Sequence, residues 1–552
     1  MVCAYENEIY MKKYTYTIVL VALFITALFL RLYALGRIPA GMTDDELRET
    51  YSAAALWHTG ASLTSGPLFP FVFIVNNFAF TPVPIYLSAP IVGIFGVSLF
   101  TSKLPYALAG FFALIGTYFL VKKLTEHKWI ALATIFCMTF NVWAIQLSRI
   151  AYEAVFAECF YIWGTYVFVS DWKKNALRSV CIAMALFFLA FNSYDAMKLI
   201  YLPLLLVLCV YKWKQIRSRR ALGYTIIGAV IVTFGIFAYT YLTAHTNIRG
   251  SNFTIFQDTA TANQSIASAR QASLAPTILK ILFHNKITYF FDVFIRHYLY
   301  TFSLDYLFLS QESSGIFSLW LRGNFYLIEL PLIGLGALYL FLKKKSAFFL
   351  GIAAMSVGAI PAGVGPEPFS YLTRASFVLP WLALFVGSGI VCAVELVRKK
   401  WIVITLLGCA YLFVIGGYLN QYYFEWSRNN AVYFSKGVED LAVYLSSQQT
   451  NYSTMEIANM SDTFFLHWAL VTHMDVRKLQ KHYASGNVYE FPPIKIFPSC
   501  KDIGTEDPHN TLTRGELYVA NPSCHKQTPD YSIILPDGTP QWSIYKPKAS
   551  QE

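Results

Sequence analysis

Charged residues are scarce in this chain of 552 residues. Only 14% are Asp, Glu, Lys or Arg, whereas a soluble globular protein carries about 25%. In their place, 56% of the residues are hydrophobic, and apolar stretches of about 20 residues recur from position 15 to position 418, each long enough to cross a bilayer. The composition therefore excludes a soluble globular protein and predicts a polytopic membrane protein.

Several other features are missing. The sequence has no G-x-x-x-x-G-K loop, no H-E-x-x-H motif, no Ser/His/Asp signature and no cysteine spacing typical of zinc sites. It also has no internal repeat of fixed period. The net charge of +11 does not indicate nucleic-acid binding, because the basic residues cluster in short loops between apolar runs, as in membrane proteins.

These basic loops predict the topology. Short loops rich in Lys and Arg remain in the cytoplasm, so an even number of crossings must separate the clusters at 12–13, 122–123, 173–174, 212–220, 343–345 and 398–400. An uncleaved first span at about 16–35 then places the N-terminus in the cytoplasm. The paired spans that follow are 129–147 and 152–170, 178–192 and 199–211, 222–243 and 324–342, and 346–361 and 376–397. A last span, 401–418, leaves the C-terminal domain outside the cytoplasm, as expected for a multi-pass protein of the cell membrane.

The interval between the first two basic clusters contains three apolar candidates, 16–35, 84–100 and 103–121. Three crossings would break the alternation, so one of them does not span. The segment 84–100 is the weakest candidate, because it contains Pro84, Pro90, Gly93 and Gly96. We expect it to be re-entrant or to lie on the membrane surface, which makes 36–102 one large outer loop and gives about 11 spans.

The predicted fold is mainly α: a membrane helical bundle, residues 1–420, followed by a small extracytoplasmic α/β domain, residues 421–552. The outer segment 244–322 has the pattern of amphipathic surface helices. In the C-terminal domain, "KGVEDLAVYLSSQ" has helical spacing and "DYSIILPDGTPQWSIYKP" predicts two strands around an Asp-Gly turn. Cys500 and Cys524 can pair there if the compartment is oxidising.

The topology places a specific set of charges at helix ends or in loops on the outer face. These residues are Asp44, Asp45, Glu46, Lys103, Arg149, Glu153, Asp195, Lys198, Glu367 and Arg374. Cations are disfavoured on this face, so several of them together indicate an anionic partner such as a lipid-linked phosphate, to which Arg offers bidentate contacts. Taken one at a time, each cation is also consistent with a simple interfacial anchor.

The stretch "GMTDDELRET", residues 41–50, has two interpretations. Thr43 with Glu46 three residues later is a capping box, and Asp44 and Asp45 would complement the helix dipole. The cap requires only Thr43 and Glu46, so Asp45 is not explained by it. A carboxylate that faces a bound hydroxyl acts as a general base, and Asp45 is the candidate for that role.

The stretch "QLSRIAYEA" adds a second candidate group. Arg149 and Glu153 are four residues apart, a spacing that predicts an i,i+4 ion pair on one helix face.

In these stretches the chain resembles the GT-C membrane glycosyltransferases, in particular the protein O-mannosyltransferase and aminoarabinose lipid A transferase branch (glycosyltransferase family 39-like) in its bacterial or archaeal form. The matching residues follow the family's order: Arg31, Pro39, the pair Asp45-Glu46, Lys103 where the family usually has Arg, "SRIAYEA", "SYDAMKLIYLP" and "YLTRASFVLP". The resemblance covers about residues 15 to 420 and the general form of the C-terminal domain.

The resemblance implies an inverting transfer of a sugar from a polyprenyl-phosphate donor to a protein, lipid or glycan acceptor on the outer face. It implies a catalytic group of Asp45, Glu46 and Glu153, with Asp45 as the base and Glu153 orienting Arg149 or contacting the sugar. Carrier phosphate and sugar would be bound by Lys103, Arg149, Asp195, Lys198 and Arg374. No obligatory metal or other cofactor is expected, although related oligosaccharyltransferases hold a divalent cation with comparable acids.

Two other classes remain open. A transporter or flippase of a lipid-linked glycan would place its charges near the bilayer midplane, on broken helices within repeated halves. A non-catalytic relative would bind the carrier lipid without transferring the sugar.

Overall fold

The computed structural model describes residues 2–64, 66–75, 78–172, 175–243, 254–312, 314–320, 322–366, 371–487, 489–501 and 507–548, without the side chains of 2–13 and 243. Glu367, one of the predicted outer charges, lies outside these ranges. The chain divides into two compact units. The first, which we call the membrane unit, contains residues 1–33 and 106–419; the second, which we call the outer unit after its predicted location, contains residues 34–105 and 420–552.

Helices make up most of the described chain. Up to residue 243 they are α1 (Val2–Leu32), α2 (Asp44–Thr59), α3 (Pro82–Phe95), α4 (Leu99–Thr125), α5 (Lys128–Phe140), α6 (Val142–Arg149), α7 (Ala154–Val169), α8 (Ala176–Phe191), α9 (Asp195–Tyr211), α10 (Trp213–Ser218) and α11 (Arg220–Thr243). From residue 259 to 420 they are α12 (Thr259–Ala272), α13 (Thr277–Phe283), α14 (Lys286–Tyr300), α15 (Glu329–Lys343), α16 (Lys345–Gly358), α17 (Ile360–Val364), α18 (Tyr371–Arg374), α19 (Leu379–Leu396) and α20 (Lys400–Asn420). The C-terminal part adds α21 (Ser427–Asn429), α22 (Lys436–Gln448), α23 (Phe464–Thr472), α24 (Val476–Ala484) and α25 (Pro508–Thr511).

Every apolar segment predicted from the sequence is helical. Within the described residues, six helices are long and apolar enough to cross a membrane, or seven if the bent pair α5–α6 forms one span. The other predicted crossings include shorter apolar helices such as α7 and α8. The mainly helical, multi-span fold is therefore confirmed, while the total of about 11 crossings stays a prediction. The segment 84–100 contains the 14-residue α3, which is too short to span about 30 Å at 1.5 Å per residue.

The bend between α5 and α6 is 57° and has a clear cause. The Asn141 side chain accepts a hydrogen bond from the Ala144 amide at 3.0 Å, so it caps a new helix and ends the old one. Its Nδ2 donates to the Asn324 carbonyl at 3.0 Å. Gln311 Nε2 in turn donates to Gln146 Oε1 and to Asn324 Oδ1, both at 3.0 Å. A buried amide network thus joins the bent helix pair to the loop around 311–324.

The first outer loop and the C-terminal domain share one apolar core within the outer unit. Leu47 and Tyr51 of α2 and Ile85 of α3 are buried in the same cluster as Leu441 of α22 and Ile457 in the C-terminal sheet. The sequence prediction had assigned the loop 36–102 to the membrane module; by its packing, the loop forms a unit with residues 420–552.

The sheet of the outer unit is mixed and has the strand order β4-β5-β3-β6-β8-β7. Its strands are β3 (Thr454–Ala458), β4 (Glu490–Phe491), β5 (Ile494–Phe497), β6 (Glu516–Ala520), β7 (Tyr531–Ile534) and β8 (Pro540–Tyr545), while β1 (Phe73–Val75) and β2 (Phe78–Phe80) form a separate antiparallel pair. β3 is parallel to β5 and β6, and the other neighbours are antiparallel. The predicted hairpin is present as β7–β8, with Gly538 at φ 94° in its turn, a conformation that glycine adopts without strain.

Cys500 and Cys524 form a disulfide in the outer unit, which confirms that the two can pair. Disulfides persist in oxidising compartments and are rare in the cytosol. The bond is therefore consistent with the predicted extracytoplasmic location of this unit.

Candidate active site

In the outer unit, the first turn of α2 carries the three predicted acids, Asp44, Asp45 and Glu46. Glu46 Oε2 accepts the Thr43 amide at 2.7 Å, while Thr43 Oγ1 accepts the Glu46 amide at 3.3 Å, so the predicted capping box is present. Asp44 accepts hydrogen bonds from Thr463 Oγ1 at 3.1 Å and from Ser435 Oγ at 3.4 Å. Asp44 thus fastens the start of α2 to the C-terminal segments of the same unit.

Asp45 is partly exposed, like Asp44 and unlike Glu46. About a third of its side chain, 34%, is open to solvent, and its Oδ1 lies 3.7 Å from Arg48 Nη1. Glu46, in contrast, is fully buried. A partly exposed carboxylate can meet a substrate hydroxyl and accept its proton.

Arg48 connects Asp45 to a further acid. Its Nη2 lies 3.7 Å from Asp462 Oδ1, and its guanidinium stacks over the Phe78 ring at 4.4 Å from the centroid, a favourable cation–π distance. Burial raises the pKa of Asp462, the charge of Arg48 lowers it and the charge of Asp44 raises it. Arg48 therefore lies between two carboxylates, Asp45 and Asp462, of different exposure.

Lys103 also belongs to the outer unit, and its ammonium is fully buried. Its Nζ donates to the Gly41 carbonyl at 2.8 Å and to the Pro39 carbonyl at 3.2 Å, and it lies 5.7 Å from the centroid of the Phe434 ring. Through these contacts Lys103 has a structural role, because they fix the segment that leads into α2. Carrier-phosphate binding by Lys103 stays a prediction.

In the membrane unit, the short helix α18 carries Arg374. Both backbone polar groups of Leu372 in this helix form hydrogen bonds to side chains. The Trp143 indole donates to the Leu372 carbonyl at 2.7 Å. The Leu372 amide donates to Glu312 Oε2, also at 2.7 Å. Trp143 and Glu312 are both buried, so this turn is rigidly held, which is a requirement for a preorganised site.

Tyr194 lies between α8 and α9, and the charges of several predicted site residues affect its pKa. Its hydroxyl donates to Thr373 Oγ1 at 3.2 Å. Burial raises the pKa of Tyr194 to about 12; the Arg374 charge lowers it, and the charges of Glu153 and Asp195 raise it further. Arg374, Glu153 and Asp195 thus act on one hydroxyl, although Arg374 lies 221 positions after Glu153 and 179 after Asp195 in the sequence.

The space occupied by the Arg374 side chain depends on a glycine. A Cβ on Gly365 would lie 2.0 Å from Arg374 Nη1 and 3.0 Å from its Cζ, so no side chain fits there without moving the guanidinium. Arg374 itself is only partly buried, which leaves it accessible to an anion.

The Arg149 side chain caps the C-terminal end of α1. Its Nη1 donates to the Leu30 carbonyl at 2.8 Å and to the Arg31 carbonyl at 3.0 Å, which places a positive charge at the C-terminal end of α1. The prediction that Arg149 and Glu153 share one helix face is wrong, because α6 ends at Arg149 and α7 begins at Ala154. Arg149 and Glu153 are both buried, each at a helix end.

Asp195 and Lys198 form an ion pair at the start of α9. The Lys198 ammonium also lies 4.9 Å from the centroid of the Phe237 ring. Both side chains keep some exposure, 40% for Asp195 and 23% for Lys198.

Sequence reasoning missed Arg48, Asp462, Tyr194 and Glu312. Arg48 had one available signal, its i,i+3 spacing from Asp45. Asp462, Tyr194 and Glu312 had none, since their partners lie far away in the sequence. Within the described part of the chain, no three His, Cys, Asp or Glu side chains are arranged to hold a metal ion, and the metal requirement stays a prediction.

The fold and these helix-end charges define a polytopic membrane protein with charged groups beside the ends of its spans. Residues 79–239 match the family model described as dolichyl-phosphate-mannose-protein mannosyltransferase. No curated protein matches the chain.

Among solved structures, apo ArnT from Cupriavidus metallidurans is similar, with a TM-score of 0.51 and 12% identity over 97% of this chain and 98% of that one. ArnT from the same organism bound to undecaprenyl phosphate has a TM-score of 0.48 and 11% identity, covering 96% and 97% of the two chains. The oligosaccharyltransferase AglB from Archaeoglobus fulgidus, in complex with an inhibitory peptide and a dolichol-phosphate, has a TM-score of 0.48 and 12% identity over 93% of this chain and 70% of that one. The predicted resemblance to this family is thus confirmed over residues 79–239, and the fold of the chain is similar to that of ArnT.

Proposed function

We propose that the protein is an inverting glycosyltransferase that moves a sugar from a polyprenyl-phosphate donor to an acceptor hydroxyl at the outer membrane face. The proposal rests on one observation, that the three acids at the start of α2 make different contacts. Glu46 caps the helix and Asp44 fastens it, while Asp45 keeps a third of its side chain exposed beside Arg48. The match of residues 79–239 to a family named for a dolichyl-phosphate-mannose donor supports the donor class.

In the proposed reaction, Asp45 accepts the proton of the acceptor hydroxyl, and the hydroxyl oxygen attacks the anomeric carbon. The bond between that carbon and the phosphate oxygen breaks, and its electron pair leaves with the polyprenyl phosphate. Fixed cations that meet this developing charge provide the largest stabilisation in such reactions. Arg374 is the first candidate for that role, because its turn is held rigidly and its guanidinium is accessible.

The remaining predicted residues have supporting roles in the proposal. Glu153 and Asp195 contribute negative charge around Tyr194, and Asp195 holds Lys198. Arg149 fixes the end of α1, and Lys103 the approach to α2. The sugar and the class of acceptor follow from none of these contacts.

The test compares Asp45→Asn with Asp44→Asn, its neighbour in the same helical turn. Protein in nanodiscs receives polyprenyl-phosphate mannose labelled in the sugar, with source-cell membranes as acceptor, and two products are followed: labelled acceptor and free polyprenyl phosphate. We expect Asp45→Asn to slow transfer by about 10²-fold or more, as for loss of a general base, with wild-type donor binding. Asp44→Asn should lower stability more than turnover.

Unchanged transfer by a folded Asp45→Asn protein would exclude Asp45 as the base. Movement of the intact labelled lipid across proteoliposomes, without release of polyprenyl phosphate, would instead support a flippase.

A further inference from the structure

Part of the long outer loop in the membrane unit exposes an unusual amount of apolar surface. None of the residues of α13 is buried, and its Ile278 and Phe283 are 79% and 61% exposed. On α14, Ile287 and Phe291 are 82% and 60% exposed. Contiguous apolar surface of this kind in a folded protein marks an interaction site.

These helices are too short to cross a bilayer. α13 has 7 residues and α14 has 15, which corresponds to about 10 Å and 22 Å at 1.5 Å per residue, against a hydrocarbon core of about 30 Å. An amphipathic helix of this kind is stable when its apolar face lies along the membrane interface. α14 has the expected polar side as well, with Asp292 and Arg296 exposed.

Several hydrogen bonds stabilise the connection between α13 and α14. Asn285 Oδ1 accepts the Ile287 and Thr288 amides at 2.9 and 3.1 Å, and Thr288 Oγ1 accepts the Asn285 amide at 3.1 Å, a reciprocal cap. Arg270 of α12 donates through Nε to the His284 carbonyl at 2.7 Å. The turn between the two helices is therefore ordered, and the exposed apolar side chains belong to folded helices.

An apolar cavity of about 350 Å³ lies along α14, and its single charged lining residue is Lys286. The other lining residues are Ile255, Phe256, Ile287, Phe290, Phe291 and Phe294. Phe256 and Phe290 contact each other at a centroid distance of 5.0 Å, so one side of the cavity is a stable aromatic wall. An aliphatic chain with an anionic head group matches this combination of apolar lining and one cation.

The far half of α14 is bound to the segment that precedes the Arg374 turn. His297 Nδ1 lies 3.0 Å from the Gly365 carbonyl oxygen, and the Tyr298 hydroxyl donates to the Ser356 carbonyl at 2.9 Å. Phe294, which lines the cavity, packs against Gly363 so closely that a Cβ there would lie 2.6 Å from Phe294 Cε2. A ligand in the cavity therefore contacts α14, the helix whose His297 side chain contacts the backbone of Gly365. Gly365 in turn lies beside Arg374.

We infer that α13 and α14 are interfacial helices that lie in one leaflet of the membrane and bind the acyl chain of an anionic phospholipid in this cavity, with the lipid phosphate beside Lys286. The bilayer that surrounds the spanning helices supplies this ligand at high local concentration. Of the charged residues on these two helices, Lys280, Lys286 and Arg296 outnumber Asp292, which favours an anionic over a zwitterionic head group. By steadying α14, the bound lipid would steady the backbone at Gly365.

The first experiment tests insertion by thiol accessibility in nanodiscs that contain phosphatidylglycerol and phosphatidylcholine. Single cysteines at Ile278, Ile287 and Phe291 are compared with one at Asp292 on the polar side, in a background where the exposed Cys181 and Cys409 are alanine. A thiol in hydrocarbon does not form the reactive thiolate, so the first three should react with a water-soluble maleimide at least about tenfold more slowly than the fourth. Equal rates at all four positions would overturn the insertion.

The second experiment identifies the lipid. A bimane label at Phe291→Cys is quenched by phospholipids brominated in the acyl chain, added as phosphatidylglycerol or as phosphatidylcholine at the same mole fraction. We expect at least about twofold stronger quenching by the anionic lipid, with the preference lost in Lys286→Gln and kept in the control Lys343→Gln. Equal quenching by both lipids would overturn the assignment to an anionic phospholipid. The same holds if unlabelled polyprenyl phosphate is the only added lipid that reduces the quenching.

Discussion

The guanidinium of Arg374 fills the space beside Gly365: a Cβ on that glycine would lie 2.0 Å from Arg374 Nη1. Gly365 has φ −64°, so its backbone would accept any residue. The atoms nearest to a side chain at position 365 all belong to Arg374. A substitution there should therefore move the guanidinium while the backbone of the turn keeps its fold.

Gly365→Ala should impair transfer without unfolding the protein. The added methyl group displaces the guanidinium, and a misplaced group commonly costs about tenfold or more in rate. Turnover and the donor KM are measured together with the thermal midpoint. Gly334→Ala in α15 is the matched control, since nothing lies within 4 Å of its Cβ; wild-type turnover in Gly365→Ala would argue against a role for Arg374.

Lys103→Met should destabilise the outer unit. The substitution leaves the Pro39 and Gly41 carbonyls without their buried donor, and each unsatisfied group costs about 1–3 kcal/mol. Thermal unfolding of the full chain is compared with that of Lys478→Met, which removes an exposed lysine. An unchanged midpoint combined with a raised donor KM would instead identify Lys103 as a phosphate ligand.

The outer unit should lose stability below neutral pH because of His467. Burial, with a further contribution from the charge of Lys436, lowers the pKa of His467 to about 3, against an unfolded value of about 6.5. Between these values the unfolded chain binds the extra proton, so stability falls by about 1.4 kcal/mol for each pH unit below about 6.5.

In His467→Leu, this contribution should disappear from thermal midpoints measured between pH 7.5 and 5. The substitution also removes two buried ring nitrogens that have no hydrogen-bond partner in the described structure. The same substitution at His482 serves as the control. Burial lowers the pKa of His482 as well, but its ring is less deeply buried than that of His467. A pH profile identical to wild type would contradict the neutral, buried state of His467.

Reduction of the Cys500–Cys524 disulfide should lower the stability of the outer unit. The cysteines are 24 residues apart, and closing a loop of that length is worth about 3 kcal/mol. The thermal midpoint is measured with and without dithiothreitol, and Cys500→Ser/Cys524→Ser should no longer respond. Alkylation in intact cells provides a second readout, since free thiols at both positions would contradict the extracytoplasmic location.

The features that the sequence predicted correctly depend on neighbouring residues. The capping box at Thr43 and Glu46 is a four-residue pattern, the β7–β8 hairpin follows from Asp537-Gly538 between apolar runs, and the helices follow from apolar stretches. Each was present in the structure where the pattern placed it.

The features that the sequence did not predict depend on distant partners. Lys103 has the charge of a phosphate ligand, but its partners are carbonyl oxygens 62 and 64 positions away, and backbone oxygens carry no sequence signal. The prediction that Arg149 and Glu153 share one helix face was wrong because the helix stops at Arg149, a boundary of the kind that patterns locate poorly. Glu312 binds the Leu372 amide, 60 positions away, a contact set by tertiary structure alone.

The amide network at the bend between α5 and α6 has a consequence for biosynthesis. Gln146 receives its hydrogen bond from Gln311, 165 positions later in the chain. At about 5–20 residues per second, synthesis of the intervening chain takes roughly 10–30 s. During that interval a polar amide in a nascent membrane segment must be satisfied by water or by the insertion machinery, so we expect α5 and α6 to reach their final bent arrangement only after residue 324 has been translated.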